Sequence, residues 1–125
     1  MDQGSCLCGQ IRYQLTAPIR ASHCHCRMCQ KQHGAAFATY VSVKLADFEL
    51  LAGEDLLVQF QSSPGIYRGF CHCCGSSLFW RDSSSDEIAA ALASFDTELL
   101  PENIPDIYTE SRAPWCPATQ HNKSK

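Results

Sequence analysis

A chain of 125 residues, 45% hydrophobic and 18% charged, is long enough to bury one modest core and too apolar for a disordered segment. Its formal charge of −3, with Lys and Arg scattered along the chain, gives no electrostatic footprint for nucleic acid and weighs against a DNA-binding finger. No apolar run reaches the roughly 18 residues that a membrane span needs.

The start, MDQGSCLCGQ, lacks the basic and apolar regions of a secretory signal. The expected compartment is therefore a reducing cytoplasm, where clustered cysteines point to metal before disulfides. From Gly9 to Leu15 the chain alternates, with Ile11, Tyr13 and Leu15 on one face, which predicts a half-buried strand that Pro18 ends. Arg27 to Gln32 predicts a helical turn stopped by Gly34. Phe37 to Val43 and Phe48 to Leu51 read as strands, followed by a turn at Gly53-Glu54-Asp55. Leu56 to Gln61 and Ile66 to Phe70 read as an antiparallel pair around Ser62-Ser63-Pro64-Gly65. Leu78 to Arg81 is a short strand and Asp82 to Asp86 a loop. Glu87 to Phe95 has the alanines of a helix but the alternation of a strand, and strand is the reading adopted. Residues 1–117 form one expected domain, and 118–125 a polar tail that frays.

Nine cysteines are present, and all but Cys116 fall into three clusters: Cys6 and Cys8; Cys24, Cys26 and Cys29; Cys71, Cys73 and Cys74. Tetrahedral zinc with Zn–S bonds of about 2.3 Å places its sulfurs roughly 3.8 Å apart. A Cys-x-Cys pair meets this in an extended segment, and a Cys-x-x-Cys pair meets it in a turn. Joining Cys6 and Cys8 to Cys71 and Cys74 completes a tetrahedron and clamps the N-terminal strand to the middle of the chain. The middle cluster needs a fourth ligand. Cys73, a histidine (His23, His25, His33 or His72) and solvent are the candidates. His25 alternates with its flanking cysteines and is expected to point away from their metal. Trp80 and Trp115 are expected in the core or at a subunit interface.

The order Gly4-Ser5-Cys6-Leu7-Cys8-Gly9, Cys24-His25-Cys26-x-x-Cys29 and Phe70-Cys71-x-x-Cys74-Gly75 resembles the glutathione-dependent formaldehyde-activating enzyme (GFA) family, which includes the centromere protein V (CENP-V)-like proteins. Arg12-Tyr13, Gly34 to Phe37, Phe95-Asp96 and Arg112-Ala113-Pro114-Trp115 extend the likeness over residues 4–115. The resemblance implies a mainly β, Mss4-like fold of several small coiled antiparallel sheets around zinc, with little helix. It implies two Zn²⁺ sites: a structural zinc on Cys6, Cys8, Cys71 and Cys74, and a catalytic zinc on Cys24, Cys26 and Cys29. The activity it implies is condensation of glutathione with formaldehyde to S-hydroxymethylglutathione, a carbon–sulfur lyase reaction when written backwards.

Three thiolates favour a soft thiol as the next ligand and ionise it, so the leading expectation is a carbon–sulfur lyase-like enzyme acting on small thiol adducts. Its partners would be a small thiol such as glutathione and a small aldehyde, with no nucleic acid and no membrane. A homodimer is left open as the oligomeric state. Arg27, beside the triad, is the candidate for steering a carboxylate or stabilising an alkoxide. The rival expectation is a non-catalytic Mss4-like zinc module that binds a protein partner. A methionine sulfoxide reductase-like role ranks last, because Cys73 and Cys116 stand in no reductase motif.

Overall fold

Ile11, Tyr13 and Leu15 are all buried, as the alternation predicts, around a strand β2 (Arg12–Leu15). The Tyr13 ring packs against Phe48 and, edge-on, against Phe95, at centroid distances of 5.4 and 5.6 Å, and its hydroxyl is hydrogen-bonded to Ser94. This computed structural model describes residues 1–117; the expected tail at 118–125 lies outside the described residues.

β2 lies between β1 (Asp2–Ser5) and β5 (Phe48–Ala52) in a three-stranded antiparallel sheet. The remaining strands are β3 (Arg20–Cys24), β4 (Ala38–Lys44), β6 (Leu57–Ser63), β7 (Ile66–Cys71), β8 (Ser77–Asp82), β9 (Glu87–Ala91) and β10 (Asp106–Ile107). They form a second sheet in the order β10-β3-β4-β9-β8-β7-β6, antiparallel except where β10 runs parallel to β3. The fold is thus mainly β with little helix, as expected.

α1 (Arg27–His33) is the one α-helix among the described residues. It ends where the sequence predicts: Gly34 takes the left-handed conformation, φ 61°, and donates its N–H to the Gln30 carbonyl at 2.8 Å. The hairpin of β6 and β7 turns at Pro64-Gly65, with β6 running two residues further than its apolar pattern.

Glu87 to Phe95 is a strand only as far as Ala91; Leu92–Ser94 is a 3₁₀ turn. The Ser94 hydroxyl donates to the Ala91 carbonyl at 2.6 Å and closes that turn. Ile88, Ala89, Ala90 and Ala91 are all buried, so β9 does not alternate at all. It sits between β4 and β8 with both faces covered, and alanine's small side chain suits that crowding.

Three segments with no assigned element in the sequence reading are strands: β1, β3, which carries the His23-Cys24 segment, and β10. The main core cluster joins Ile11, Tyr13 and Leu15 to Val41, Val43, Leu78 and Ile88, and includes Cys6 and Cys71. A smaller cluster joins Cys24, Cys29, Tyr40 and Ala89. The two cysteine sets thus sit in two different packed regions.

Candidate metal centres and their cavity

Cys6 and Cys8 lie in the turn from β1 to β2, and Cys71 and Cys74 at the turn from β7 to β8. Their four sulfurs all lie within 4.8 Å of one another, with Cys6–Cys8 at 3.5 Å and Cys8–Cys71 at 3.9 Å. That spacing is the one a tetrahedral thiolate-bound ion requires.

Backbone amides are aimed at the sulfurs, as thiolate ligands need. Ile11 donates to Cys6 at 3.3 Å, Cys8 to Cys74 at 3.4 Å and Cys74 to Cys71 at 3.5 Å. The Ser76 hydroxyl, 3.3 Å from Cys74 Sγ, is the leading cause that pushes the Cys74 thiol down to about 5. The same hydroxyl accepts the Leu7 N–H at 2.8 Å and ties the two turns together.

Cys24 ends β3, Cys26 caps α1 and Cys29 lies in the first turn of α1. The Cys26 side chain accepts the Cys29 N–H at 3.3 Å, so the helix cap itself sets the Cys-x-x-Cys curl. The three sulfurs cluster within 4.8 Å, with Cys24 and Cys29 at 3.4 Å. The Cys29 thiol is pushed down to about 4, chiefly by its hydrogen bond with Cys24, with burial opposing and Arg68 adding to the fall. Both donor sets suit a metal ion.

Among the described residues no candidate fourth ligand joins the triad. His25 is buried and directs Nε2 to Asp106 at 2.8 Å, away from the sulfurs, as its alternation predicts. His23 Nδ1 meets Thr39 Oγ1 at 2.8 Å, and His33 Nε2 meets the Tyr40 hydroxyl at 3.1 Å. Cys73 is exposed and receives the Gln10 side-chain amide at 3.5 Å.

The triad lines a cavity of about 860 Å³, together with Tyr40, Arg68 and Trp80. Arg68 is the cation against the triad. It is only 3% exposed, with Nη1 3.5 Å from Cys29 Sγ and 3.4 Å from Gln32 Oε1, and Nε 3.1 Å from Ser62 Oγ. Arg27, expected beside the reacting atoms, does not line the cavity; it donates to Gln30 Oε1 at 2.6 Å. Gln30 is buried and donates to the carbonyls of His25 at 2.7 Å and Ser111 at 2.9 Å, which pins the cysteine loop. Trp80 is a wall residue of the cavity, and Trp115 is 71% exposed.

Burial raises the Tyr40 hydroxyl above its ordinary range, and the Cys29 charge adds to the rise, so Tyr40 stays protonated and able to donate at neutral pH. Its oxygen lies 3.7 Å from Cys29 Sγ. Arg68, Tyr40, Gln30 and Asp106 were missed as site residues from sequence. The signal for Arg68 was present: an arginine flanked by Gly69 and apolar residues in a predicted strand.

The family model for "Glutathione-dependent formaldehyde-activating enzyme" matches residues 1–111. The chain belongs to this family. A Halomonas elongata protein named "Putative glutathione-dependent formaldehyde-activating enzyme" is 30% identical over 125 aligned positions, covering 90% of this chain and 78% of its own. In fold, the GFA-family chain matches the crystal structure of a Rhodobacter sphaeroides protein with a TM-score of 0.69 at 21% identity, over 83% of this chain and 98% of the other.

Proposed function

We propose that this GFA-family protein is a zinc-dependent carbon–sulfur lyase-like enzyme that joins a small thiol, such as glutathione, to a small aldehyde and reverses that step. Cys6, Cys8, Cys71 and Cys74 would hold a structural zinc, and Cys24, Cys26 and Cys29 a catalytic one. The observation that carries this reading is the triad in the wall of a cavity: three sulfurs, one short of a tetrahedron, facing space for a ligand. Bound there, zinc would supply a soft Lewis acid that favours an incoming thiol in its ionised form.

The chain's own residues supply the rest. Arg68 and Tyr40 present donors to the cavity beside Cys29, where an attacked aldehyde oxygen gathers negative charge. His33 holds the Tyr40 hydroxyl in place. The Asp106–His25 pair and the two bonds from Gln30 hold the cysteine loop rigid. The lack of a fourth protein ligand among the described residues supports an enzyme over the partner-binding module. No helix among the described residues is long and apolar enough to cross a membrane. Residues 1–117 are proposed as one catalytic domain working in the reducing cytoplasm, which keeps these thiols available.

Purified protein should carry two zinc ions per chain by elemental analysis and accelerate adduct formation between glutathione and formaldehyde above the uncatalysed rate. One zinc per chain, or no acceleration with formaldehyde or any larger aldehyde at full zinc loading, would sink the proposal. Arg68→Met should lower metal affinity at the triad or turnover by roughly 10- to 100-fold, the usual cost of losing a group that supports metal ligands. Arg68→Lys should recover part of that loss, and an unchanged Arg68→Met would remove Arg68 from the mechanism.

A further inference from the structure

Cys24, Cys26 and Cys29 make up a small part of the wall of the cavity of about 860 Å³. Much of the remainder is apolar, including Ile19, Val41, Ile66, Trp80, Leu99 and Ile107. The charged side chains on it are Arg20, Arg68 and Glu102. Arg20 is doubly hydrogen-bonded to Glu87, at 2.7 and 3.3 Å. Arg68 is engaged by Ser62, Gln32 and Cys29. Glu102 repels a carboxylate. Arg20 is thus paired with Glu87, and Arg68 belongs to the triad, where it faces the aldehyde oxygen. A thiol bearing two carboxylates meets no third cation along this wall, and desolvating those carboxylates against apolar side chains is costly. Its charged half belongs toward solvent, which leaves the apolar wall to the group carried by the carbonyl carbon. Formaldehyde carries only hydrogens there and covers none of it.

We infer that the carbonyl partner is an aldehyde with an extended apolar substituent, an alkyl or aryl group of several carbons. The inference rests on the lyase-like reading above and names the substrate class of the same site. The step balances as R–SH + R′–CHO giving R–S–CH(OH)–R′. The sulfur–carbon bond forms as the carbonyl π pair moves to oxygen, and the proton lost by the thiol ends on that oxygen. Selectivity comes from burying R′ against the wall, and each methylene taken out of water contributes about two- to fourfold in affinity.

Two measurements on the zinc-loaded protein test this. With glutathione as the thiol, kcat/KM should rise about two- to fourfold per methylene from acetaldehyde through butanal to hexanal. By calorimetry, the inert thioether S-hexylglutathione should bind at least about thirtyfold more tightly than S-methylglutathione, from five methylenes at about twofold each. Ile19 is half-exposed on the cavity wall, so Ile19→Glu should flatten both series while zinc content and melting temperature hold. A flat series alongside turnover of formaldehyde would overturn the inference and leave the lyase-like reading standing. Turnover of no aldehyde at full zinc loading would overturn that reading. Equal binding of the two thioethers would overturn the inference whatever the turnover results.

Discussion

Cys71→Ala is expected to leave the chain unable to hold its fold at 25 °C. Cys71 has no exposed surface, and its sulfur belongs to the set that joins the turn from β1 to β2 with the turn from β7 to β8. Those turns come from different sheets. A zinc ion on four thiolates contributes apparent binding free energy of about 10–16 kcal/mol, while a domain's whole stability is about 5–15 kcal/mol. If this set of four holds the proposed zinc, losing the ion would remove as much as the fold has to lose. The burial of Ile11, Tyr13 and Leu15 depends on the N-terminal sheet staying docked, so the damage is expected to be global. Circular dichroism in the near ultraviolet and proton chemical-shift dispersion should collapse, in the variant and in the parent protein after chelation. Cys73→Ala is the control: its sulfur is exposed and outside both sets, so its cost should stay within about 0.5 kcal/mol. A Cys71→Ala protein that melts like the parent would remove the clamp from the account.

Cys29→Ala is expected to lower turnover a thousandfold or more, roughly 4 kcal/mol of barrier, because two thiolates cannot hold the proposed catalytic zinc. It should also cost stability for a separate reason. The buried Arg68 guanidinium loses its anionic partner, and removing one member of a buried pair costs about 3 kcal/mol even at the low end. The double variant Cys29→Ala with Arg68→Met should then regain much of the stability and none of the turnover. Urea denaturation and steady-state rates separate these two effects. Full turnover by Cys29→Ala would dismiss the triad as the reacting centre. A double variant no more stable than Cys29→Ala would show that the arginine is not strained by the loss.

Local features were legible because their cause is local. The helical stop at Gly34 follows from its own backbone freedom, and the burial of Ile11, Tyr13 and Leu15 follows from the two-residue repeat of a strand. The Cys-x-x-Cys curl of Cys26 and Cys29 needs nothing beyond one helix cap. Glu87 to Phe95 was misjudged beyond Ala91 because the turn there is closed by Ser94, whose other partner is the distant Tyr13. β3 was obscured because its residues read as ligands, not as a strand with one buried face. β10 is two residues long and exists only through its pairing with His23 and Cys24.

Cysteine spacing and the family resemblance together pointed to a set of four and a set of three, with the fourth partner of the three left open, since sulfur separations in a tetrahedron restrict which short motifs can share an ion. The structure gathers the same two sets of sulfurs. The tertiary structure decided what surrounds the three. Arg68 reaches Cys29 from a strand 39 residues further along, and Asp106 grips His25 across 81 residues, contacts that no local pattern encodes. The same packing set Arg27 aside, left Cys73 outside both clusters and enclosed the triad in an apolar wall. Charge placement and cavity shape come from non-local side-chain packing, so the apolar wall that bears on the substrate came into view only once the strands were assembled.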